Sequence, residues 1–302
     1  MIRALSLPLA ALGLLVAVSA RAEAPRVVVS IAPVHSLVAG VMEGVGSPDL
    51  LVKGSASPHT YSLKPSDAKA LAEAKVVFWI GAELESFLVK PLAALAGKAS
   101  VVRLIGATDL RLLPSRSGGT WTGGHAHVRK NTDPHVWLAP ANARAIAAAI
   151  AAALADADPA HADIYRANGR RLSARLEALE AEMKSALAPV KDRPFVVFHD
   201  AYQYLENAFG LNAIGAVAVA PEKPPGPKAL AALRARIKAT GARCVFREPQ
   251  FPAKLAETVA EKTGARIAVL DPEGIVGAPG ASLYFELMRA NARSLVDCLS
   301  GG

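Results

Sequence analysis

The sequence predicts an α/β protein with parallel sheets in two lobes, joined by one long helix. Three observations carry this. Short apolar runs alternate with helical patterns along both halves of the chain, the pattern of βαβ units with parallel strands. Between the halves lies a single apolar stripe, Leu172, Leu176, Leu179, Met183 and Leu187, spaced by three or four residues, as on one face of an uninterrupted helix. The run Phe195-Val196-Val197-Phe198, after Pro194, is apolar at every position, as a strand buried on both faces requires.

The elements follow in order. Arg3, an apolar run over 5–18 and Ala20-Arg21-Ala22 read as the basic region, apolar core and cleavage site of a signal peptide over 1–22. The run is shorter than the roughly 20 apolar residues a membrane span needs. No cysteine follows the cleavage site, so a lipid anchor is not expected. The mature product is expected to be soluble in an oxidising compartment.

The N-terminal lobe is placed at 23–156. Its strands are expected at 26–32, 49–52, 76–80 and 100–105, and its helices at 34–42, 66–74, 85–95 and 142–154. Residues 54–61, Gly-Ser-Ala-Ser-Pro-His-Thr-Tyr, form a turn-rich loop. Residues 114–133 are rich in Gly, Ser and Thr and hold His125 and His127. They are expected to be a flexible loop without regular structure, of the kind that is usually functional or disordered. The loop ends at Asp133-Pro134-His135.

The connector is placed at 157–190. Asp158-Pro159 supplies an N-cap with proline at the first helical position, and Pro189 ends the run. Its length is about 40 Å at 1.5 Å per residue. The C-terminal lobe, 191–302, repeats the alternation. Strands are expected at 195–198, 213–219, 244–247 and 266–270, with helices at 201–208, 228–239, 253–263 and 281–299.

The chain carries a net charge of +8, and loss of the leader removes Arg3 and Arg21. The remaining basic residues are scattered, with no dense patch beside aromatics, so nucleic-acid binding has a weak case. Two cysteines, Cys244 and Cys298, suggest one bridge in a secreted protein, with two free buried thiols as the alternative. They are too few for a thiolate zinc site.

Four residues fall at comparable places: His59 in the loop after the second strand, His135 after Asp-Pro at the end of the long loop, His199 at the end of the first strand of the second lobe, and Asp271 at the end of its last strand. In open α/β sheets that end of a strand faces the ligand crevice. Three imidazoles and a carboxylate suit zinc, although spacing alone does not show that they converge. Other candidates read as structural. His35 packs or caps an early helix, and His161 is expected to be solvated in the first turn of the connector. Trp79, Trp137, Tyr202 and Tyr204 are expected to pack. Glu83 and Glu85 follow a strand end within reach of the cleft, and Glu222 sits on a loop suited to a membrane partner.

The segments GSASPHTYSLKPSD (54–67), DPHVWL (133–138), FHDAYQYLENAFGL (198–211) and EPQF (248–251) resemble the periplasmic zinc-binding proteins of bacterial ABC importers. The likeness covers nearly the whole mature chain. It implies two (β/α)4 lobes joined by a rigid backbone helix, with one metal in the cleft between the lobes. It carries the three histidine ligands to His59, His135 and His199, a second-lobe carboxylate to Asp271, and a disulfide to Cys244 and Cys298. Many relatives have a longer loop packed with histidines before the DPH motif. Here it is reduced to His125 and His127, which read either as an accessory, weak and transient zinc contact or as part of a solvated loop.

The function expected is capture of Zn²⁺ in the periplasm and delivery to an ABC-type permease of the inner membrane, by a monomer without enzymatic activity. One alternative is a manganese or other-metal carrier; three imidazoles favour zinc over the harder manganese. Another is a secreted zinc hydrolase with an open fourth position. Against it, no H-E-x-x-H motif is present and no glutamate adjoins a ligand histidine. An extracellular adhesin is a third reading.

Overall fold

The computed structural model describes residues 23–121, 127–221, 223 and 225–301. The proposed leader, His125 and Glu222 lie outside them. Strand β1 (Val27–Val29), helix α1 (Ala32–Val41) and strand β2 (Asp49–Leu50) open the first lobe. Helix α2 (Pro65–Glu73), strand β3 (Val76–Trp79), helix α3 (Val89–Leu95) and strand β4 (Ser100–Arg103) complete its sheet. The order is β2-β1-β3-β4, with every pairing parallel.

The described residues flanking the centre of 114–133 are not structureless, which corrects the expectation. Strand β5 (Pro114–Ser117) and strand β6 (His127–Thr132) pair antiparallel as a two-stranded ribbon. The ribbon has no apolar face of its own, so periodicity could not reveal it; its support comes from the other lobe, as described below. Helix α4 (Pro140–Ala157) follows. Helix α5 (Ala162–Leu187), the connector, runs for 26 residues, or about 39 Å. It lies on α4 at close range: a Cβ at Gly169 would come within 2.8 Å of the Ala151 Cβ, so this crossing needs glycine. His161, expected in solvent, is instead buried in a short 3-10 turn, where its Nδ1 meets Asp158 Oδ2 at 2.7 Å. The Asp-Pro that starts the connector thus also binds the imidazole.

The second lobe contains strand β7 (Pro194–His199), helix α6 (Gln203–Phe209), strand β8 (Asn212–Ala218), helix α7 (Pro227–Thr240), strand β9 (Cys244–Arg247), helix α8 (Lys254–Ala260), strand β10 (Arg266–Val269) and helix α9 (Leu283–Ser300). The sheet order is β10-β9-β7-β8, again with every pairing parallel. Both sheets therefore share one topology. The first strand of each lobe is central, the second strand lies on one side of it, and the third and fourth lie on the other. The strand order reverses beside β1 and beside β7, and such switch points are where a crevice opens at the strands' C-terminal ends.

The two lobes share one hydrophobic core. Val34 and Leu37 of α1, Ile146 and Ile150 of α4, Leu172 to Leu187 of α5, and Tyr284 to Leu299 of α9 belong to it together with Phe195 and Phe246. Polar bonds reinforce the junction: Tyr284 N–H donates to Ser36 Oγ (3.0 Å) and the Trp137 indole N–H to Pro272 O (2.9 Å). A large apolar junction of this kind resists wide relative rotation of lobes. Cys244 at the start of β9 and Cys298 in α9 form a disulfide, with Cα atoms 6.2 Å apart. Among the described residues no helix is long and apolar enough to cross a membrane.

Candidate metal centre

Each of the three histidines is delivered by a different piece of local structure. His59 comes from the turn-rich loop between β2 and α2. His135 follows Asp133-Pro134, and its ring is set as a short 3-10 turn (Val136–Leu138) begins. His199 is the last residue of β7. The apolar run of β7 holds the strand in the core, so its end projects the imidazole into the crevice.

The three rings meet. The Nε2 atoms of His59 and His135 are 3.3 Å apart, as are those of His135 and His199. One ring nitrogen from each residue lies within 4.8 Å of the other two. His135 and His199 are each 3 % exposed, and His59 is half-buried. They line a cavity of about 280 Å³ with Glu83, Arg116, Asp133 and Asp200 on its walls.

Two of the rings are fixed from behind. His135 Nδ1 faces Asp133 Oδ1 at 2.8 Å, and the His135 backbone N–H donates to the same oxygen at 3.0 Å. His199 Nδ1 faces both Glu248 oxygens, at 2.8 and 2.7 Å, and Glu248 is fully buried just beyond β9. A neutral ring whose Nδ1–H donates to a carboxylate presents a bare lone pair at Nε2. Two such lone pairs face each other here at 3.3 Å, an arrangement that invites a cation between them. The spacing fits zinc: a tetrahedron with Zn–N bonds of about 2.0–2.1 Å has edges of roughly 3.3–3.4 Å.

Electrostatics agree with neutral rings at two positions. Burial, followed by the His199 ring, holds His135 well below the ordinary histidine value of 6.5. Burial and the two neighbouring imidazoles do the same for His59. His199 moves the other way: burial would lower it, but the Glu248 carboxylate outweighs burial and raises it. Burial pushes the Asp133 carboxyl up to about 7, against the opposing pull of the His135 amide and Arg116.

Asp271 is placed differently from the histidines. Its Oδ1 accepts the N–H groups of Glu273 and Gly274, both at 2.9 Å, and its Oδ2 accepts that of Ile275 at 2.7 Å. It is not among the donor atoms gathered within 4.8 Å of one another, which among the described residues are the three imidazoles. Here it shapes the 271–275 turn. His127 lies on β6, with only its backbone described.

Glu83 reaches the cavity wall but pairs with Arg103. Glu85 is buried and bound by Ser30 Oγ and the N–H groups of Ile80 (3.2 Å) and Gly81 (2.9 Å). His35 is buried, with Nε2 at 3.0 Å from Pro48 O. The roles of Glu248 and Arg116 were not read from the sequence. The EPQF stretch (248–251) that follows β9 is the available signal for Glu248; Arg116 has none, because it sits in a segment that reads as loop.

Comparison with known proteins identifies the family. The family described as "Zinc-uptake complex component A periplasmic" matches residues 27–298. The chain is 44 % identical over 310 residues to the high-affinity zinc uptake system protein ZnuA of Brucella suis, covering 92 % of each. Among solved structures, a crystal structure of ZnuA aligns with TM-score 0.78 at 28 % identity, over 92 % of this chain and 100 % of that one. A zinc-bound ZnuA deletion mutant aligns with TM-score 0.78 at 29 % identity, over 93 % of this chain and 100 % of that one.

Proposed function

Because the chain belongs to the periplasmic component A family of zinc-uptake complexes, we propose that it captures Zn²⁺ in the periplasm and delivers it to an ABC-type permease of the inner membrane. The observation that carries this reading is the triangle of Nε2 atoms, with two edges of 3.3 Å, the spacing a tetrahedral zinc ion imposes. We assign His59, His135 and His199 as its three protein ligands. Asp133 and Glu248 orient two of them from behind, as outer carboxylates do in zinc sites generally. We assign the fourth position to water, since Asp271 is not among the donors gathered with the imidazoles and its oxygens serve the backbone amides of the 271–275 turn.

The same geometry speaks against hydrolysis. A hydrolase needs a carboxylate free to act as base on a metal-bound water. Asp133 and Glu248 are engaged by ring Nδ1 atoms, Asp200 and Glu206 by Arg116, and Glu83 by Arg103. An all-imidazole set also suits zinc better than manganese, which prefers oxygen donors. Capture from a dilute pool is expected to use the fixed pair, His135 and His199, as the first contact. His59, on its loop and without a carboxylate partner among the described residues, then closes on the ion.

The test is metal analysis of untagged protein together with competitive titration of zinc against manganese. One tightly held zinc per chain is expected. Near-unchanged zinc titration of His199→Ala would remove the assignment.

A further inference from the structure

We propose that Arg116 is a specificity-determining positioning residue: by occupying the carboxylate of Asp200, it keeps an oxygen donor out of the metal site and reserves the site for an ion that prefers imidazole. The inference rests on the zinc-binding reading above and deepens it.

Asp200 directly follows His199 and lines the same cavity as the three imidazoles. Its oxygens are not among the donor atoms gathered within 4.8 Å of one another, and a carboxylate on that wall could turn to an ion unless something else holds it. Arg116 does so. Its Nε lies 2.9 Å from Asp200 Oδ1 and 3.2 Å from Oδ2, and an Nη reaches Oδ1 as well. The rest of the guanidinium binds Glu206 at 2.8 and 2.9 Å. One fork thus engages two acids of the second lobe, which suits the planar geometry of arginine and not the point charge of lysine. The three side chains are 8–10 % exposed, so the pairs are shielded from water.

Arg116 is itself held in place. It belongs to β5 of the ribbon, and its guanidinium stacks on the Trp121 ring at 3.6 Å. The residues between them are bound to the edge of the second sheet: Ala216 N–H donates to Gly119 O (3.0 Å) and Trp121 N–H to Ile214 O (2.9 Å). A Cβ at Gly215 would come within 2.4 Å of Gly119 O, so the strap lies directly on β8 backbone. The ribbon therefore delivers a fixed guanidinium to the cavity wall. Freed from it, the Asp200 carboxylate would add a hard oxygen ligand, and oxygen donors favour manganese relative to a purely imidazole set.

Competitive titration of the full-length mature protein with Zn²⁺ and Mn²⁺ tests this. Arg116→Gln is expected to lower the zinc-over-manganese preference by about tenfold or more, mainly through tighter manganese binding. Asp200→Asn added to that variant should restore the preference, and Arg116→Lys should fall between. If Arg116→Gln weakens both metals equally, or leaves the ratio unmoved, Arg116 serves only to hold the ribbon and the proposal is overturned. Asp200→Asn alone reads the same question even if Arg116→Gln does not fold. A carboxylate already sequestered should leave the ratio within about twofold, and a larger change overturns the proposal. Failure of the wild-type protein to bind zinc would instead overturn the function proposed above.

Discussion

Glu248, at the end of β9, receives the Nδ1 face of His199, at the end of the neighbouring strand β7, with both carboxylate oxygens within 2.8 Å. The sheet supplies this contact: β7 and β9 pair in parallel, so residues just past their ends stand side by side. The pair fixes the ring's tautomer and its direction into the crevice.

Glu248→Gln should keep the fold but weaken zinc binding by about 10- to 100-fold, the usual cost of losing an outer carboxylate. The amide is isosteric but no longer attracts the Nδ1 proton as an anion does. Isothermal or competitive titration measures it; an unchanged Kd would show that β7 alone orients the ring.

His135→Ala removes the vertex shared by both 3.3 Å edges. It is expected to cost more than His59→Ala, because His135 is held by Asp133 before any ion arrives. Losses of about 100-fold or more are expected for His135→Ala. A larger loss from His59→Ala would reverse the order of capture argued here.

Zinc affinity should fall in acid, because binding requires neutral imidazoles. His199, raised above 6.5 by Glu248 against the effect of burial, takes the first proton as pH falls. In the metal-free protein, the raised pKa contributes stability that is fully present below the unfolded value and is lost as pH rises through the folded one. Zinc opposes that proton, so affinity declines as pH drops through the same window, by up to about tenfold per unit for each proton displaced. His59 and His135, held below 6.5 mainly by burial, add to the decline only at lower pH. Kd measured from about pH 8 to about pH 5.5 should show this slope, and a flat profile would contradict it.

Cys298→Ser should lower the melting temperature and leave zinc affinity unchanged. The bridge spans a sequence separation of 54, worth about 4 kcal/mol in the chain-entropy account. It ties α9 to β9 at the start of that strand, away from the strand end that carries Glu248. A parallel loss of zinc affinity would mean that α9 reaches the site.

Gly215→Val should strip the strap from β8, since even a Cβ there meets Gly119 O at 2.4 Å. A cost of about 1–3 kcal/mol is expected from the overpacking. Protease cutting near residues 116–121 should rise with it, and unchanged proteolysis would show that the strap is held by Arg116 alone.

The sequence by itself determined the alternation of strands and helices, the connector and the three histidines at strand and loop ends. Each of these is written in local periodicity or in short motifs. Leu172 to Leu187 repeat at helical spacing, and Phe195 to Phe198 stop at His199. What only the tertiary structure decided are relationships between distant segments. It paired Glu248 with His199 across 49 residues and Arg116 with Asp200 across 84, paired 114–117 with 127–132 as a ribbon, and turned Asp271 toward its own following amides. No local pattern encodes these, because each partner's choice depends on which other charges, amides and apolar faces the packed lobes bring within a few ångströms.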